Sequence, residues 1–152
     1  MFWSEHEDAS RGMLLRMISG GPVYLSDGCG HTDPDLISRI IGSDGKLNMC
    51  DDIGRPTLDC LTRDPFKTSK DGMGGILKIY NRRGGKIVIA CFCAETEGRT
   101  LIVPSDIAGI GQKQVQIYNT KTETGELCSQ EHPYELRMNA REEVILELTP
   151  EK

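Results

Sequence analysis

Ser26 and Asp27 occupy the place in this chain best suited to chemistry. Val23-Tyr24-Leu25 reads as one short buried strand, with Pro22 at its first position, where no ladder donor is lost. The hydroxyl and the carboxylate follow at the strand's carboxyl end, and in β/α architectures ligand contacts come from strand ends and the loops after them. The bland alternative for Asp27 is a carboxylate that caps the Gly28 loop. His31, in the same loop, could line a pocket rim or simply face solvent, as loop histidines mostly do. Cys91 and Cys93 lie two apart on a predicted strand and so point to one side of it. A Cys-x-Cys pair can bind zinc, but the spacing suggests no further ligands, and buried free thiols are the better reading. Gly84-Gly85 and Gly109-x-Gly111 precede no helix in a strand–loop–helix unit, so they are turns rather than phosphate loops. The residues therefore suggest no metal site and no cofactor.

Several elements must position these groups. Ser4 with Glu7 fits a capping box. Ala9, Met13 and Met17, widened by Leu14 and Ile18, then form the apolar stripe of a helix of about four turns, stopped by Gly20-Gly21. Thr32 or Asp33 can cap a second helix with Pro34 at its first position, Leu36, Ile37, Ile40 and Ile41 on its apolar face, and Gly42 as the stop. From Ile76 onward the period changes. Ile76–Tyr80 and Lys86–Cys93 flank Asn81-Arg82-Arg83-Gly84-Gly85, a five-residue hairpin connection. The second of these strands is apolar on both faces, as expected of a central strand in a covered sheet. Further strands are expected near 100–103, 114–118, 134–138 and 143–148, giving an antiparallel sandwich. A single parallel strand near residue 23 cannot form a sheet alone. The expected division is a helix–strand–helix piece over 1–45, a connecting segment over 46–75 rich in Pro, Asp, Gly and Thr, and an all-β domain over 76–152.

Composition narrows the function classes. The 152 residues carry a formal net charge of −5, which argues against a general binder of nucleic acid or of anionic membranes. No apolar run approaches the roughly 18 residues that a membrane helix needs. The acidic start, Met1 to Asp8, lacks the basic region of a secretory signal. Phe2 and Trp3 have little reason to stand there unless something packs over them. The 6 cysteines contain no C-x-x-C pair, and a reduced, cytoplasmic compartment fits them.

Several ordered motifs carry a likeness. Met1-Phe2-Trp3-Ser4-x-His6-x-x-Ala9 and Arg16-Met17-Ile18-Ser19-Gly20-Gly21-Pro22-Val23-Tyr24-Leu25-Ser26-Asp27 are followed by Ser43-Asp44-Gly45. Arg55-Pro56-Thr57-x-Asp59-Cys60-Leu61-x-x-Asp64-Pro65 and Leu77-Lys78-Ile79-Tyr80-Asn81 come next. Together they resemble the raffinose synthase and alkaline α-galactosidase branch of glycoside hydrolase family 36, over roughly the first 95 residues. The departures are Cys29, Leu58, Thr62, Tyr80 and Cys93, where the family usually has Pro, Arg, an aromatic, Trp and Asn. They bear on sugar specificity more than on fold.

The resemblance implies a fold of two parts: the last strand and helices of a (β/α)8 (TIM) barrel, then an antiparallel β-sandwich. Pro22 to Asp27 would be the eighth barrel strand. The family's two catalytic aspartates lie on earlier strands and have no counterpart here, so the chain alone should be inactive. Asp27, and more weakly Ser26, would contact a galactoside or oligosaccharide bound in the complete barrel, unless Asp27 orders the barrel rim. His6 also matches a family position, in a structural role. A partner chain could supply the missing strands. Two other readings remain: a non-catalytic carbohydrate-binding β-sandwich, and a truncated gene product with no independent role.

Overall fold

The computed structural model describes residues 3–94, 96–111 and 113–151; Phe2, expected to be covered, lies outside them. Helix α1 spans Ala9–Ser19 and stops at Gly20, whose φ of 71° forms the left-handed cap. It is a turn shorter than the apolar stripe predicts, because Ser4 is not its cap. The chain makes turns before Asp8, and Ser4 is buried and bonded elsewhere. Helix α2, Pro34–Ile40, has the expected start: the Asp33 carboxylate accepts from the Asp35 and Leu36 N–H groups. Between them, Val23 to Leu25 forms no strand ladder, and Tyr24 and Leu25 are exposed rather than buried. A parallel strand needs neighbours to pair with, and this segment has a single β-bridge position, Leu25, in place of a ladder. Trp3 is also half exposed.

The rest is mostly antiparallel β-structure. Strand β1 (Arg55–Pro56) is followed by the short helix α3 (Leu58–Thr62), neither of which the apolar pattern foretells. Strands β2 (Ile76–Arg83) and β3 (Lys86–Cys93) form the hairpin. Its connection is two residues, not five: Gly84 and Gly85 have φ of 55° and 82°, the pair of positive values that a tight, twist-matched turn requires. Strands β4 (Gly98–Ile102), β5 (Val115–Asn119), β6 (Thr124–Cys128), β7 (Tyr134–Met138) and β8 (Glu143–Pro150) complete the set. Of these β6 escapes sequence patterning, since all but Cys128 face solvent.

Six strands form one sheet in the order β1-β2-β3-β8-β5-β6, and β4 pairs with β7 in a second sheet. Alternation along β3 explains its doubly apolar sequence. Ile87, Ile89, Cys91 and Cys93 face a core completed by Ile102, Leu136 and Met138 of the small sheet. Val88, Ala90 and Phe92 face the other way, against Ile18 of α1. The six-stranded sheet is thus covered by strands on one side and a helix on the other.

Asn81 of β2 ties these layers. Its carboxamide donates to the carbonyls of Ile18 (2.7 Å) and Asp52 (2.6 Å) and accepts from the Asp52 and Arg82 N–H groups. All four hydrogen-bonding positions of the amide are filled. Beyond the short β1, the outer edge of β2 is closed by side chain and loop. Thr57 N–H donates to the Lys78 carbonyl, and the Cys60 thiol accepts from Lys78 N–H and donates to the Ile76 carbonyl.

Candidate functional site

Asp27 is held by the segment that precedes α1. Ser4 donates from its backbone N–H to Oδ1 (2.7 Å) and from its hydroxyl to Oδ2 (2.6 Å). The Ser4 Oγ in turn accepts from Asp33 N–H at 2.8 Å. One buried serine therefore fastens Asp27 to the N-cap of α2. The Ser4 hydroxyl bond, then its backbone bond, hold the Asp27 carboxyl below the ordinary carboxylate range, against a smaller opposing effect of burial. The Thr32 side chain adds a smaller hydrogen-bonding effect in the same direction, and the lone pairs of an ionised carboxylate still outnumber these donors. Ser26 is exposed beside it.

The histidines take local roles. His6 Nδ1 accepts from Asp8 N–H at 3.1 Å, and its ring lies 6.4 Å from that of Trp3. The imidazole shapes the turn before α1, in keeping with the structural role expected of it. His31 is exposed, with Nδ1 3.6 Å from a Glu5 carboxylate oxygen. Cys91 and Cys93 share a face, as expected, and both are fully buried free thiols. Burial pushes the Cys91 thiol up to about 12, so it stays protonated at any physiological pH.

A second constellation lies away from Asp27. A cleft of about 730 Å³ opens between α3 with the following loop and β4 with its 3-10 extension at Pro104–Asp106. Behind it lies Lys78, 1% exposed, whose ammonium donates to Asp59 Oδ2 at 2.6 Å and to the Leu101 carbonyl at 2.7 Å. Thr57 Oγ1 donates to the other Asp59 oxygen at 2.7 Å. A lysine ammonium this deep requires such a partner. Asp106, on the cleft's other wall, has its pKa raised, first by burial and then by the Asp59 carboxylate, with Lys78 and Arg63 opposing. Neither Asp27 nor Ser26 lines this cleft.

Sequence reasoning missed Lys78, Asp59 and Asp106. A signal for the first was present. In Ile76-Leu77-Lys78-Ile79-Tyr80 the lysine shares the parity of Ile76 and Tyr80, both of which face the core, so a buried lysine in need of a carboxylate was legible. Nothing comparable marks Asp106, which lies outside every motif.

The family model for raffinose synthase or seed imbibition protein Sip1 matches residues 1–129. A galactinol–sucrose galactosyltransferase of Oryza sativa subsp. japonica is 38% identical over 93 residues, covering 56% of this chain and 12% of that protein. A stachyose synthase of Pisum sativum is 37% identical over 100 residues, covering 64% of this chain and 11% of that protein. The chain thus aligns with only about an eighth of the length of these relatives. Among solved structures, a candidate alpha-N-acetylgalactosaminidase of Bacillus halodurans superposes with a TM-score of 0.63. It is 13% identical, covering 99% of this chain and 34% of that one, so the likeness is one of fold.

Proposed function

The chain belongs to the raffinose synthase and seed imbibition protein family, and on that premise we propose that it is the C-terminal part of an α-galactosyl-processing enzyme. The parent reaction is retaining. One carboxylate attacks the anomeric carbon, a second protonates the leaving oxygen, and water or a sugar acceptor resolves the glycosyl–enzyme intermediate. In this proposal both carboxylates belong to barrel strands outside the 152 residues. Residues 1–45 close the barrel, 46–75 connect, and 76–152 form the bracing β-domain. Val23 to Leu25 becomes a strand once neighbouring strands, from a partner chain or a longer polypeptide, are beside it.

Asp27 then accepts hydrogen bonds from galactoside hydroxyls at the barrel mouth, with Ser26 beside it. The observation that carries this is the Ser4 clamp. It holds a carboxylate ionised and fixed in orientation at the predicted strand end while leaving lone pairs for a ligand. We place the protein in the cytoplasm because its six cysteines are free. No helix of the described residues is long and apolar enough to cross a membrane.

The test is reconstitution. The purified chain should show neither α-galactoside hydrolysis nor galactosyl transfer. Mixed with a rice galactinol–sucrose galactosyltransferase lacking the matching C-terminal region, it should restore turnover, and Asp27→Ala should raise KM in the mixture. Turnover by the chain alone sinks the proposal.

A further inference from the structure

The cleft between α3 and β4 holds two charged groups that the protein itself leaves without a bond. Most of its charges are matched internally: Asp59 by Lys78 at 2.6 Å and Asp64 by Lys67 at 3.5 Å. Asp71 accepts from the Ser69 hydroxyl and from Met73 N–H. The side chains of Asp106 and Arg63 are different. Among the described residues neither makes a hydrogen bond or a salt bridge, although each lines the cleft and the Arg63 charge acts on Asp106. Asp106 is half-buried on one wall of the cleft and Arg63 is exposed on the other. Water reaches both groups, and their hydrogen-bonding capacity is open to a molecule that enters the cleft.

We propose that this cleft is a second binding site, taking a neutral polyhydroxylated molecule such as a hexose or a short oligosaccharide, with Asp106 accepting from its hydroxyls and Arg63 donating to them. The two free groups carry opposite charges, so a ligand without net charge balances them. A sugar's vicinal hydroxyls can each donate and accept. Leu101, Val103 and Met73 provide apolar wall for the C–H face of the ring, and the exposed Thr68 supplies a hydroxyl. The volume of about 730 Å³ falls in the range of small-molecule sites. The choice of a sugar over a zwitterionic amino acid rests on the galactosyl-processing reading. The existence of the site does not, since Asp27 lies elsewhere.

The experiment is a titration of the isotope-labelled full chain with raffinose, followed by amide chemical shifts. The expected result is saturable shifts at 100–106 and at 58–63. Asp106→Ala and Arg63→Met should each weaken binding about ten-fold or more, the loss expected for a hydrogen bond to a charged group. Undisturbed shifts elsewhere will show that the variants fold. Shifts confined to 24–31 and abolished by Asp27→Ala would overturn the cleft site while supporting the Asp27 reading. Glutamine shifting the cleft amides while raffinose does not would overturn the ligand class. The absence of any shift with raffinose overturns the proposal, leaving the Asp27 reading to the reconstitution assay.

Discussion

Removing Asp59 should cost more than removing the lysine it neutralises. Lys78 has its side chain 1% exposed, whereas that of Asp59 is 34% exposed. In Asp59→Ala the ammonium keeps only the Leu101 carbonyl and remains inside the protein, and breaking a buried pair in this way costs about 3–5 kcal/mol. Lys78→Met instead removes the buried charge and fills the same channel with an apolar side chain. Asp59 then turns to water and to Thr57, and the main loss is one carbonyl's partner, about 1–2 kcal/mol. For a chain of this length each kcal/mol moves Tm by about 2–4 °C. The expected drops are therefore about 6–20 °C for Asp59→Ala and about 2–8 °C for Lys78→Met, using the same conversion. The double variant should be more stable than Asp59→Ala alone. Urea and thermal unfolding followed by circular dichroism would measure all three. If Asp59→Ala were no worse than Lys78→Met, or the double variant less stable than Asp59→Ala, the buried-charge reasoning would be refuted.

Two further outcomes follow from local geometry. Gly20→Ala should be severely destabilising, because its φ is 71° and an added Cβ would lie 1.9 Å from the Asp52 carbonyl oxygen; a Tm within a degree or two of wild type would contradict this. Glu135, bonded by Arg99 and Arg137, has its pKa held down to about 2 from an ordinary 4.5. A depressed carboxylate contributes stability above its unfolded pKa and loses it as pH falls through the folded value. The pairing of β4 with β7 should therefore weaken between about pH 4.5 and 2. Glu135→Gln should flatten that dependence in amide exchange of 98–102 and 134–138, and an unchanged pH profile would count against the arginine clamp.

The β-region was the more legible part of the sequence. Alternation along 115–117 and the doubly apolar run 86–93 report which side of a strand is buried, and burial is what places a strand in a sheet. The Asp33-Pro34 start of α2 was equally plain, because capping is local chemistry. Ser4 misled, since a serine three residues before a glutamate satisfies a local rule while its actual partner, Asp27, lies 23 residues away. Val23 to Leu25 misled for another reason: its apolar pattern suggests a buried strand, but Tyr24 and Leu25 are exposed and the segment forms one bridge position rather than a ladder. Strand β6 was invisible because it buries almost nothing, and α3 because none of its residues is buried. Of the candidate site, the Ser4 clamp on Asp27 and the Lys78–Asp59 pair escaped the sequence, because both depend on contacts distant along the chain.

The closed outer edge of β2 has a consequence for association. A sheet lengthens only where a terminal strand offers free backbone groups. At the β1 end of the six-stranded sheet, the short strand, Thr57 and the Cys60 thiol occupy what another chain would need. Among the described residues the β6 end of this sheet remains open, with the exposed Glu126 along it. Strand addition to this sheet therefore has one direction, and two copies joined there about a twofold axis would leave no end for a third. Its geometry permits a closed pair and opposes a fibre.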